Sequence, residues 1–295
     1  MNATLGSTLS AETVRMTVPY ACAALGGIWS EKSGVVNIAL EGMLLASALG
    51  AVATQLATGS ALAGLLGGIV VGGAFGAAHA LIVRLGVDAI VSGIALNLVA
   101  GGGTRFLLRA LYGSSSNSPS VSGFAGLESA SAQPWVRGVL DPLTILTVIA
   151  CVVTAYALSR TPLGLHVRAS GEDAGAASSL GIDVPRVRLA AVAIGGCIAG
   201  MGGAALAFDQ HQFQSGMSGG RGFIALAAVI ISGWRPYRAV AACAAFALLD
   251  SLQIVLQGQS HSSHDLLTAL PYVATLVSLG VIGHRAAGQR PVDRG

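Results

Sequence analysis

Apolar residues run along this chain in long windows broken only by short polar or glycine-containing turns. A helix needs about 20 apolar residues to cross the hydrocarbon of a bilayer. Windows meeting or approaching that length fall at Val14–Trp29, Val36–Ala57, Ala61–Leu85, Ala89–Leu111, Val139–Leu158, Val187–Phe208, Phe223–Trp234, Ala239–Leu256 and Leu266–Ile282. The pattern predicts an all-α, polytopic membrane protein with about 8 to 10 transmembrane or re-entrant helices, a single transmembrane domain over residues 1–295. The first and seventh windows are short, rich in glycine or flanked by polar residues, and each is expected to be a half-helix or a re-entrant segment supported by its neighbours.

Composition sharpens this reading. Of 295 residues, 53% are hydrophobic and only 10% charged, against about 25% charged in soluble domains. The net charge of +3 is too small and too spread to argue for a nucleic-acid partner, so its placement speaks to topology. Residues 112–138 are rich in Ser, Gly and Pro and are expected to be extracytoplasmic. Residues 160–186 carry Arg160, His166, Arg168 and Arg186 and are expected to be cytoplasmic. Counting onward puts the basic stretch Trp234–Arg238 and the C-terminal tail on the cytoplasmic side of the cell membrane.

Glycine, at 41 positions, is patterned. Gly64, Gly68, Gly72 and Gly76 repeat every four residues and form one smooth stripe on a helix, with a shorter stripe at Gly196, Gly200 and Ala204. Such stripes let a second backbone approach closely, and static helix packing is the expected role.

Polar groups at membrane depth are costly and are candidates for function. Asn37 and Glu41, four residues apart on an expected helix face, together with Ser92 and Asn97, are the candidates for a translocation pathway. Asp250 and Gln253 lie in the eighth window, whereas Arg221 and Asp209 are expected in the headgroup region. His79 has no second ligand at helical spacing and reads as a hydrogen-bonded packing residue. His261 and His264 read as a solvated loop, and no metal site is expected. Cys22, Cys151, Cys197 and Cys243 each stand alone in apolar surroundings and read as small buried hydrophobes. Gly216-Met217-Ser218-Gly219 has the look of an intramembrane serine-protease motif, but no later window carries a histidine at mid-depth to act as its base. The chain also lacks GxxxxGK[ST], so it is expected to hydrolyse no nucleotide through a P-loop of its own, no enzymatic activity is expected of it, and any ATP chemistry would come from a partner.

Between the fifth and sixth windows, Arg168, Gly171, Glu172, Ala176, Ala177 and Gly181 belong to a stretch expected to form a short helix outside the membrane. The acidic pair is expected in its first turn and Gly181 at its end. Gly-Glu-x-x-x-Ala-Ala-x-x-x-Gly-Ile resembles the coupling-helix motif of ABC importer permeases, in the family of ribose, branched-chain amino acid and nucleoside permeases. Ala24–Gly42, Val87–Asn97 and Gly220–Ile230 resemble the nucleoside (BmpA-type, guanosine/uridine) branch. The resemblance covers nearly the whole chain. It implies a translocation subunit that pairs with a second related permease subunit and with an ABC ATPase subunit. An extracytoplasmic substrate-binding lipoprotein would deliver the solute. ATP and Mg would be bound by the ATPase, with no cofactor in this chain, and Glu172 with the Ala176–Ala177 face would engage the ATPase.

Overall fold

A computed structural model of the chain describes residues 2–124, 138–257 and 273. The window Leu266–Ile282, the histidines 261 and 264, and the C-terminal tail lie outside the described residues, as does most of the second half of the 112–138 segment. The described chain is helical, with only an isolated bridge between Asn117 and Gln214. Its helices are α1 (Asn2–Lys32), α2 (Leu40–Thr58), α3 (Ala61–Arg84), α4 (Ala89–Tyr112), α5 (Pro142–Arg160), α6 (Pro162–Glu172), α7 (Ala174–Ser179), α8 (Val184–Asp209), α9 (Arg221–Ile231) and α10 (Pro236–Gln257). Six of them, α2, α3, α4, α5, α8 and α10, are long and apolar enough to cross a bilayer.

Local chemistry sets the helix starts. Asp88, Asp141 and Asp183 accept backbone N–H groups at the beginnings of α4, α5 and α8, and prolines stand in the first turns of α5 and α8. Gly59 and Gly113 end α2 and α4 in the left-handed conformation.

The first window departs from expectation. It is no half-helix but the middle of α1, a continuous helix of 31 residues through Pro19. Charged residues near both ends, Arg15 and Glu31, shorten its apolar run without ending the helix. Arg15 pairs with Asp209 at 2.5 Å, and Glu31 accepts the indole N–H of Trp234. Between them, Tyr20 to Leu25 and Ile28 are almost fully buried, so α1 is a central strut wrapped by protein. The seventh window is α9, an 11-residue half-helix as expected.

Helix α8 is the hub. Gly195 and Gly26 of α1 face each other so closely that a Cβ on either would lie 2.3 to 2.4 Å from the other's carbonyl oxygen. On another face, Gly196 and Gly200 meet the α3 stripe. A Cβ on Gly72 would sit 2.3 Å from Gly196 O, and one on Gly76 2.4 Å from Val192 O, while Gly68 lies against Ala204 and Gly200. Gly64 instead abuts the Ala51 carbonyl of α2 and Phe208 of α8, and Gly203 of α8 meets Leu44 O of α2. The two glycine stripes read from the sequence therefore pack on one another.

Residues clustered at the two ends of the bundle differ in chemistry. Lys32, Arg84, Arg160, Arg186, Arg188 and Arg235 gather at one, hereafter the basic end. Arg15, Asp141, Asp209 and His211 mark the other.

Gly72→Val should fail to pack against α8, because the obstructing atoms are backbone. We expect a loss of well over 1 kcal/mol, the order of overpacking costs. It should be read as a melting temperature in detergent several degrees lower than that of Ala77→Val; equal melting would refute the close packing.

Candidate functional site

Two irregular segments penetrate the bundle from opposite ends and meet in its interior. Residues 33–39 follow α1 and turn back from the basic end to start α2. Residues 210–220 follow α8 and descend to start α9. Because α9 has 11 residues at 1.5 Å each, its first turn lies about 16 Å inside the basic end, near the middle of a bilayer core of about 30 Å. Backbone without helical hydrogen bonds is tolerated at that depth only where protein satisfies it.

The pathway candidates supply that satisfaction. Asn97 of α4 donates from Nδ2 to Ile38 O at 3.0 Å and accepts Gly42 N–H on Oδ1 at 2.8 Å. The ring nitrogens of His79 lie 3.0 Å from Val36 O and 2.9 Å from Ser92 Oγ. Glu41 accepts Gly220 N–H and Gly222 N–H on its two carboxylate oxygens, both at 2.8 Å. The carboxylate thus closes the open N–H groups at the start of the half-helix, where its charge also suits the dipole. Gly222 lies so close to the Glu41 backbone that any Cβ would be 2.4 Å from Glu41 N. Asn37 does not share a helix face with Glu41: it lies in the irregular segment before α2, fully buried, with its amide nitrogen 3.8 Å from Met43 Sδ. The structure brings Glu41, Ser92 and Asn97 together as one hydrogen-bonded knot and adds His79, whose bonded packing role agrees with the sequence reading.

A second interior group was misplaced by sequence reasoning. Arg221, expected among headgroups, opens α9 and pairs with Asp250 of α10 at 3.0 Å, both side chains about 15% exposed. Tyr20 of α1 donates its hydroxyl to the same carboxylate oxygen at 3.2 Å, and the guanidinium lies 5.9 Å from the Tyr20 ring centre. Asp209, also expected among headgroups, is the partner of Arg15. No sequence signal links residues 20, 221 and 250.

At the basic end, the expected coupling helix is divided. Gly171 and Glu172 close α6 instead of opening a helix, and Asp173 is the cap of the next one, accepting Gly175 N–H and Ala176 N–H at 2.9 Å each. Helix α7 is only six residues long, and Gly181 follows it with φ +84. Ala176 is exposed but Ala177 is 2% exposed and turned inward, while the neighbouring Leu180 stands 82% exposed. Arg168 stays on α6, its Nε 3.4 Å from Gly164 O.

Behind this hairpin, Arg188 of α8 donates to Ser33 O at 3.1 Å and Ser170 O at 3.2 Å, joining the C-terminal ends of α1 and α6 where a cation is favoured. Gly171 rests on Lys32 O at a distance no side chain would allow, 2.3 Å for an added Cβ. Beyond the spanning part of α1, burial pushes the Glu31 carboxyl above its ordinary pKa, opposed by the Trp234 hydrogen bond.

A helical bundle with interior breaks, backbone-capping polar groups and six helices long and apolar enough to cross a bilayer defines a polytopic membrane protein. The family model for the permease component of branched-chain amino acid transport systems matches residues 10–279, and the chain belongs to that family. It is 31% identical over 293 residues to the guanosine ABC transporter permease protein NupQ of Bacillus subtilis, covering 93% of this chain and 92% of the relative. It is 32% identical to the nucleoside ABC transporter permease protein NupC of Lactococcus lactis, covering 90% and 89%. It is 36% identical to a putative glucose ABC transporter permease protein of Haloferax volcanii, covering 87% and 78%.

Removing one member of the interior ion pair should be far worse than removing both. Arg221→Met leaves a buried carboxylate uncompensated and is expected to cost about 3–5 kcal/mol, whereas Arg221→Met with Asp250→Leu should recover most of it. Thermal melting of the purified single and double variants measures this; an equally unstable double variant would contradict it.

Proposed function

We propose that this chain forms the translocation pathway of an ATP-driven importer for nucleosides. It would work with a second permease subunit, an ABC ATPase at its basic end and a substrate-binding lipoprotein at the other. The observation that carries the substrate reading is the pair of relatives, a guanosine and a nucleoside permease, that align with nine-tenths or more of this chain. Sidedness follows the Lys/Arg bias: the basic end is cytoplasmic, residues 112–138 are extracytoplasmic, and the C-terminus is cytoplasmic. ATP and Mg belong to the ATPase.

The coupling step rests on the hairpin α6–α7. Glu172, Ala176 and the exposed Leu180 offer themselves to a groove in the ATPase, while Ala177 holds α7 against the bundle. Arg188 and the close packing of Gly34 on Gly171 and Arg188 make the hairpin, the end of α1 and the start of α8 move as one piece. A displacement of α7 on nucleotide binding is then conveyed to α1 and α8, as rigid-body switching requires. Glu172 acts through its docking position alone: at the end of α6 an added cation would suit the helix dipole.

A sugar is the second reading, favoured by the 36% identity to the putative glucose permease. Uptake of labelled guanosine and uridine by cells carrying or lacking this subunit separates the two, with glucose and ribose as unlabelled competitors. Nucleoside uptake that requires the chain is expected; inhibition by glucose or ribose alone would move the assignment to sugars. In the assembled transporter, Glu172→Arg and Leu180→Asp should each lower uptake at least about tenfold at unchanged subunit stoichiometry. ATPase activity should persist but no longer respond to loaded binding protein. Wild-type uptake by both would remove the hairpin from the coupling role.

A further inference from the structure

The end of the bundle opposite the basic end carries an open cavity of about 430 Å³ lined by Arg105, Ser115, Ser116, Asn117, Gln214 and Ser215, every one polar. Its walls come from three places: the last third of α4, the segment after it, and the loop that descends to α9. The two loops are held by backbone pairing, Ser118 N–H to Phe213 O at 3.0 Å, Ser215 N–H to Ser116 O at 2.8 Å and Val121 N–H to His211 O at 2.8 Å. Arg105 is fixed across them, its Nε donating to Ser215 Oγ at 2.8 Å. The lining side chains are therefore presented by a fixed frame.

Arg105 lies seven residues before the end of α4, about 10 Å inside the helix end. An arginine in the last third of a span turns its charge toward polar groups and away from lipid, and Arg105 does so at Ser215. Asn97, Gly101 and Arg105 fall at successive intervals of four on one line of α4. A Cβ on Gly101, Gly102 or Gly103 would meet nothing within 4 Å. The line runs from the polar cavity toward the interior knot at Asn97, and among the described residues no atom packs within 4 Å of its Gly101 position.

We propose that this cavity is the outer substrate-contact site of the transporter, where a released nucleoside is held before it enters along the Asn97–Gly101–Arg105 line. This rests on the nucleoside reading above. The volume is within the range of small-molecule sites. The planar guanidinium of Arg105 can stack on a heteroaromatic base, and the amides of Asn117 and Gln214 with three serine hydroxyls can donate to and accept from ribose hydroxyls and base edges. The lining residues include no carboxylate and no apolar side chain, which suits brief, water-shared contact. The loop's shape is set by backbone hydrogen bonds, so Asn117 and Gln214 can lose their side chains without losing the frame.

The test uses the complete transporter in membrane vesicles, irradiated with 8-azidoguanosine and analysed by peptide mass spectrometry. Label is expected within residues 105–117 or 212–217, suppressed by excess guanosine or uridine but not by glucose. In the same vesicles Asn117→Ala with Gln214→Ala should lower maximal guanosine uptake roughly three- to tenfold, the size expected for one or two lost hydrogen bonds. Subunit assembly and the half-saturating concentration, which the binding protein sets, should be unchanged. Label confined to other peptides, suppression by glucose alone, or wild-type uptake by the double variant would each overturn the site while wild-type vesicles still import guanosine. Vesicles that import glucose and no nucleoside would overturn the nucleoside reading itself, and the site with it.

Discussion

Close approach of helix backbones around α8 is the constraint on which the rest of the molecule depends. Lipid chains are as apolar as leucine, so burial alone does little to bring helices together in a bilayer, and packing contacts must do it. Gly195, Gly196, Gly200 and Gly203 bring three different helices to within contact of the α8 backbone. Once α1, α2 and α3 are fixed on α8, the short α9 and its descending loop have a wall to lean on. The interior breaks could not exist without that wall.

The breaks create a second requirement, for hydrogen-bond partners at membrane depth. Glu41, Asn97 and His79 meet it by bonding backbone groups of the irregular segments, and Arg221 with Asp250 and Tyr20 ties α9 to α10 and α1. Costly polar residues at this depth have thus been placed where backbone or countercharge compensates them. Their chemistry in this structure is the satisfaction of backbone and countercharge. At the basic end, Arg188 applies the same logic: one guanidinium joins the ends of two helices.

Much was legible in the sequence. The apolar windows, the half-helix at α9 and the two glycine stripes followed from periodicity and length, which are local properties. The motif around Glu172 marked the right stretch, yet its helix was expected one turn out of place: Asp173 beside Glu172 allowed either acidic residue to open it. The length of α1 was missed because hydropathy averages count Arg15 and Glu31 against a span and cannot see Asp209 or Trp234 beside them.

The sequence by itself determined that this is an all-helical membrane protein, since neither composition nor windows of this length leave room for a soluble core. Only the tertiary structure decided what each polar residue does. Glu41 reads as a pathway carboxylate until its two oxygens are seen on Gly220 and Gly222, 179 and 181 residues away. Arg221 reads as a headgroup anchor until Asp250 lies against it. Partners so distant in sequence are chosen by packing, and no local pattern encodes them.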